Sequence, residues 1–124
     1  MRITIVGVSA AGKTTLAQKL QQDGYDAETV AQEHSYIAAL YRHTPHDVLI
    51  FLDASLPAIK KRRKIDWGEE QLAAEYQRLA EARRACDLYI KTDDLNAERV
   101  FRRVRRFLVK REHEIGRAAP DNCK

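Results

Sequence analysis

The sequence predicts an α/β fold, a three-layer sandwich around a short parallel sheet of about four strands. Three observations carry that prediction. Apolar, β-branched runs alternate with longer helix-forming stretches, the pattern of parallel strands joined by right-handed crossovers. The run Val48-Leu49-Ile50-Phe51-Leu52 is apolar without interruption, as a strand covered on both faces requires. A loop bracketed by glycines, Gly7-Val8-Ser9-Ala10-Ala11-Gly12-Lys13-Thr14, joins the first strand to the first helix.

The elements follow in order. Arg2 to Val6 is a short buried strand, and Thr15 to Gln22 continues a helix that begins near Lys13 and stops at Asp23-Gly24. Tyr25 to Ala31 is a strand too polar to be central, so it belongs near an edge. Ser35 is placed to cap a short helix over Tyr36 to Tyr41, which Thr44-Pro45 ends. After the strand at Val48, Ser55 caps a helix that enters at Pro57 and carries the basic cluster Lys60 to Lys64. A break at Asp66-Trp67-Gly68 precedes the longest helix, Glu69 to Ala85, whose Leu72, Tyr76 and Leu79 form a core-facing stripe. Asp87 to Lys91 is the last strand, and Thr92 to Asn96 a loop and cap. Ala97 to about Lys110 is the terminal helix, burying Val100, Val104, Phe107 and Leu108. One domain over residues 1–112 and a loose tail over 113–124 complete the expectation.

Composition bounds the function. The chain has 124 residues, 44% hydrophobic and 32% charged, which suits one soluble globular domain. No run approaches membrane-spanning length and no charged-then-apolar leader opens the chain, so no membrane partner and a cytoplasmic location are expected. Cys86 and Cys123 sit in a helix and in the tail, without His or Cys at ligand spacing. Neither a disulfide nor zinc is expected from them. The net charge of +4 calls for polyanionic partners to be weighed. Its sources, Lys60 to Lys64 and Arg99 to Arg111, fit the solvated faces of amphipathic helices better than a nucleic-acid surface.

The glycine loop matches G-x-x-x-x-G-K-[ST] between a strand and a helix, the context that identifies a P-loop and with it a P-loop NTPase fold. Gly7 and Gly12 let the chain turn so that successive amides face one concavity, with the helix dipole behind them. Ser9, Ala10, Ala11 and Thr15 contribute backbone amides, and small side chains keep the space clear. Lys13 is expected on the β- and γ-phosphates and the Thr14 hydroxyl on Mg²⁺. ATP and Mg²⁺ are therefore the expected cofactors. GTP-specific D-x-x-G and N-K-x-D patterns are absent from the sequence.

In a parallel α/β sheet, ligands bind at the carboxyl ends of the strands. The loop, Gln32 to Ser35, Asp53 and Thr92 to Asn96 all fall on that edge. Two carboxylates compete to hold the Mg²⁺ water shell or accept a proton. Asp53 ends the apolar strand as a metal-shell acid would. Glu33 follows the strand beside the loop, as base or metal-shell acid. His34 fits a polar loop, His43 and His46 flank Thr44-Pro45 too loosely for a metal site, and Trp67 fits a helix-junction anchor better than a base-stacking platform.

Together, the loop, the segment Leu49 to Pro57 followed by Arg62-Arg63, and the ending Ala85 to Asp93 resemble the nucleoside and nucleotide kinases of the P-loop superfamily. That resemblance implies one strand more than the sequence offers, and a basic lid after the strand at Val48. Arg62, Arg63 or Lys64 would then meet the transferring phosphate, and Thr92 to Leu95 would lie beside the adenine. The short stretch between Ala31 and Val48 departs from these kinases, which bind the acceptor there. The expectation is thus an ATP-binding P-loop protein acting as a small Mg²⁺-dependent phosphotransferase on an unidentified acceptor. A nucleotide-binding or ATPase module working through a partner comes second, and a nucleic-acid-binding protein third.

Overall fold

The computed structural model describes residues 1–37, 39–66 and 68–118, with only the backbone from 115 onward. Four strands, β1 (Arg2–Gly7), β2 (Asp26–Thr29), β3 (Val48–Asp53) and β4 (Leu88–Lys91), form one parallel sheet in the order β2-β1-β3-β4. Among the described residues four helices accompany them: α1 (Lys13–Gln22), α2 (Leu56–Arg62), α3 (Glu69–Ala85) and α4 (Ala97–Ala118). The step from β1 to β2 runs one way along the sheet and the step from β3 to β4 the other. Right-handed crossovers therefore put α1 and α3 on opposite faces, which gives the three layers. Accordingly α4 packs on α1 and β4, whereas α3 packs on β3, β1 and the turn that follows β2.

Burial follows the strand chemistry. Every residue of β3 is buried, and so is β1 after its first residue. Only Ala27 of β2 is buried, and β2 lies at an edge, as its polarity predicts. Ile5, Val6, Leu20, Val48, Ile50, Leu52, Ile59, Leu79, Val104 and Leu108 are fully enclosed and tie both helical layers to the sheet.

Helix ends obey local rules. Asp23 and Gly24 close α1 in a Schellman turn: Gly24 N–H donates to Gln21 O and Tyr25 N–H to Leu20 O. Gly24 takes φ +90°, a region open to glycine. Ser55 caps α2, its Oγ accepting from Ala58 N–H at 3.4 Å, and Asn96 caps α4 by accepting from Arg99 N–H at 2.8 Å. Helix α3 opens with Glu69-Glu70 and closes with Arg83-Arg84, charges that suit its dipole.

Three local expectations are corrected. Residues 36–41 do not form one helix; two 3-10 turns, Gln32–His34 and Leu40–His43, flank a bend, and Ala39 is left-handed at φ 54°. Ser35 caps only a turn, accepting from Ile37 N–H at 3.0 Å. Helix α4 passes Lys110 and reaches Ala118, because nothing before Pro120 forbids a helix and Arg111 holds its later turns to Asp87 at 3.6 Å. Tyr76 is not a core residue: its ring is half-exposed and its hydroxyl is bonded to Asp53. Trp67, Cys123 and the last six residues of the expected tail lie outside the described residues. Among the described residues no helix is long and apolar enough to cross a membrane.

Candidate functional site

The site begins where β1 meets β3. Gly7 is paired with Leu52, and a Cβ at position 7 would lie 2.0 Å from the Leu52 carbonyl oxygen, so only glycine fits. Val8 N–H then donates to that same carbonyl at 3.2 Å, anchoring the loop to the central strand. Ala10 at φ 59° and Gly12 at φ 100° turn the chain into α1, whose first internal bond runs from Leu16 N–H to Gly12 O. The amides of Lys13, Thr14 and Thr15 therefore form the open first turn of α1, without partners in their own helix. Because β1 leads to β2 on one side and β3 leads to β4 on the other, the loop stands at the switch point of the sheet.

The Lys13 side chain curls back over the loop. Its ammonium donates to Gly7 O at 3.0 Å and Val8 O at 2.9 Å, and lies 2.7 Å from Glu33 Oε2. Glu33 is only 3% exposed, and its Oε1 is buried without a hydrogen-bond partner. A buried carboxylate oxygen of that kind is costly unless something meets it. Arg78 of α3 holds the backbone beneath it, donating to Glu33 O at 3.0 Å. Gln32 fixes the next turn through Tyr41 N–H and Ile37 O. An open cleft of about 470 Å³ is lined by Ser9, Lys13, Thr14, Glu33, His34 and Arg63, among others. Thr14 stands exposed in it.

A second pocket of about 250 Å³ adjoins the first through Gly12 and Thr15 and runs between Leu16, Leu95, Asn96 and Val100. Arg62 forms its wall. Its guanidinium donates to Ala10 O at 3.0 Å, to Thr92 Oγ1 at 2.9 Å and to Thr92 O. The Thr92 hydroxyl in turn lies 3.1 Å from the carbonyls of Ala11 and Asp53. One arginine thus joins α2, the glycine loop and the end of β4. The two adjacent arginines differ: Arg62 is pinned between the two pockets by its hydrogen bonds, and Arg63 lines only the wider of them.

Asp53 stands apart from this group. Its Oδ1 accepts from Ala54 N–H at 2.8 Å and from the Tyr76 hydroxyl at 2.7 Å, and its Oδ2 accepts from the Tyr89 hydroxyl. It does not line either pocket. A carboxylate committed to three donors has little left to offer a ligand, whereas Glu33 keeps one oxygen unbonded. The partnership also raises both tyrosines. Burial and then the Asp53 carboxylate push Tyr89 up to about 12 and Tyr76 higher still.

One site residue escaped the sequence. Glu75, on the buried side of α3, accepts from Ser9 N–H at 2.9 Å and from Ser9 Oγ at 2.7 Å. Ser9 is therefore in the loop, as expected, but its amide is engaged by protein. The only sequence signal was a glutamate inside an otherwise apolar stripe, between Leu72 and Leu79. The structure thus assembles Gly7, Ser9, Ala10, Ala11, Gly12, Lys13, Thr14, Thr15, Glu33, Arg62 and Arg63 around two joined pockets and the loop between them. His43 and His46 are not among the residues lining these pockets. Among the described residues no group of three or more His, Cys, Asp or Glu could hold a metal ion by itself. No family model matches the chain, and no curated protein matches it.

Proposed function

We propose that the chain is a P-loop protein of nucleoside- and nucleotide-kinase type that binds ATP with Mg²⁺ and transfers the terminal phosphoryl group to a small acceptor. The observation that carries this reading is the Lys13–Glu33 pair. A loop lysine and a buried carboxylate with one open oxygen meet at 2.7 Å, above a glycine turn at the switch point of the sheet. On this reading the loop amides and the first turn of α1 hold the phosphates. The pocket along Leu16, Leu95 and Val100 takes the nucleoside.

The residues fit a magnesium-bound triphosphate. Mg²⁺ in such sites keeps several waters and takes most other ligands from phosphate, so few protein oxygens suffice. Thr14 would hold it directly, and Glu33 Oε1 would face its water shell or take the proton of an acceptor hydroxyl. Arg63 would oppose charge that develops on the moving phosphoryl group. Glu33 and His34 leave space beside Thr29 and Ala31 for a small hydroxyl compound.

A second reading has its own observation. Among the described residues between β2 and β3 the chain makes only two 3-10 turns, and Tyr36 and Ile37 are exposed there. That little structure suits a nucleotide-binding module whose partner completes the site. Two measurements decide. MgATP raises the melting temperature of the wild-type chain and leaves Lys13→Ala unmoved; an equal shift in both removes the P-loop reading. Labelled ATP is then offered with nucleosides, nucleotides and small hydroxyl metabolites. A labelled acceptor establishes phosphotransfer, whereas free phosphate alone supports the module.

A further inference from the structure

The Glu75 carboxylate has a place in the site that the proposed phosphotransfer leaves unexplained. It is 5% exposed and lies 66 residues from Ser9 in sequence, yet it takes both donors that Ser9 offers, the amide and the hydroxyl. Among the described residues no lysine, arginine or histidine lies within ion-pair distance of it. Its negative charge is thus held within the protein by the same loop that is built to hold an anion.

The two pockets give the loop a direction. The nucleoside-sized pocket opens beside Thr15 and Asn96, at the helix end of the loop. Lys13, which follows the β- and γ-phosphates, places its ammonium at the other end, on Gly7 O, Val8 O and Glu33. Ser9 belongs to that far end and lines the wider cleft there. A phosphate chain laid along the loop brings its last phosphate, and only that one, next to Ser9. There it finds an amide already engaged and a carboxylate behind it.

We infer that Glu75 is a specificity-determining positioning residue: through Ser9 it sets how much the loop favours a diphosphate end over a triphosphate end. The inference rests on the proposed nucleotide site. Without Mg²⁺ the terminal phosphate faces the Glu75 charge unscreened, and the loop binds ADP at least as tightly as ATP. Mg²⁺ neutralises part of that repulsion, so the metal recovers affinity for ATP far more than for ADP. Glu75 thereby makes the loop's tolerance of a third phosphate depend on the metal.

Calorimetric titration of ADP and ATP into the full chain in EDTA tests this, using wild type, Glu75→Gln and Glu75→Asp. Glutamine keeps an oxygen for the Ser9 amide and removes the charge, so ATP affinity rises about tenfold relative to ADP. Aspartate keeps the charge, and the ATP-to-ADP ratio stays on the wild-type side. An equal change for both nucleotides, or none, in Glu75→Gln overturns the inference and leaves Glu75 a structural brace. If Glu75→Gln does not fold, the wild type still decides, because ATP binding tighter than ADP binding in EDTA is the opposite of what is inferred. A wild type that binds neither nucleotide in EDTA nor with Mg²⁺ added overturns the P-loop reading itself, a different failure from an unmoved ratio, and one that binds only with Mg²⁺ overturns the inference alone.

Discussion

Two buried carboxylates stand at the same edge of the sheet and have opposite surroundings. Glu33 follows β2 and shares one oxygen with Lys13, while its other oxygen meets no donor. Asp53 ends β3 and spends both oxygens on the Ala54 amide and two tyrosine hydroxyls. Position at the sheet edge makes both of them candidates for chemistry. Their donors separate them: a fully bonded carboxylate contributes to stability, and one left partly unbonded is available to a ligand.

Substitutions at the two corners should separate activity from stability. The largest effect falls on Glu33→Gln, which lowers phosphate transfer or hydrolysis by about 100-fold or more. Its cost in stability stays below about 2 kcal/mol, because Lys13 keeps its two carbonyl acceptors. Steady-state rates and urea unfolding of the same preparation measure both numbers. Asp53→Ala does the reverse: it leaves two tyrosine hydroxyls and an amide without their acceptor and costs about 3 kcal/mol, with nucleotide affinity little changed. A large loss of rate in folded Asp53→Asn, with no loss in Glu33→Gln, would exchange the two assignments.

The smallest effect is a pH dependence centred on the Asp53 corner. Burial and then Asp53 raise Tyr89 from its ordinary 10.0 to about 12, and raise Tyr76 further. Above pH 10 the unfolded chain releases phenolic protons that the folded chain retains, so stability falls as pH rises from about 10 to 12 and is unaffected by these groups below that window. Tyr76→Phe/Tyr89→Phe flattens most of that alkaline decline in melting temperature, whereas Glu33→Gln leaves it intact. An unchanged slope in the double variant would mean that the tyrosines are not coupled to folding.

Much of this arrangement was legible in the sequence, and the reasons are local. Gly7 and Gly12 mark a loop that other residues cannot build; the apolar run of β3 has one reading; and α3 begins and ends at Glu69 and Ala85, as its periodicity predicts. The miss at residues 36–41 is also local in origin, because helix-forming residues there meet a left-handed Ala39 and side-chain bonds from Gln32. Tyr76 and Glu75 were hidden for another reason. Both lie on α3 within the same turn as core positions, and only tertiary packing shows that one reaches Asp53 and the other Ser9. Periodicity tells which side of a helix is covered, and says nothing of what a polar group finds there.

The two outermost strands carry a consequence for the chain in a crowded solution. β2 and β4 are four residues each and form the two edges of the sheet. Asp26 and Glu28 stand exposed on β2, and Lys91 on β4. Short edges with charged side chains are poor templates for adding strands, which disfavours aggregation by sheet extension. The charges that made β2 look weak as a strand help to keep the sheet at four strands.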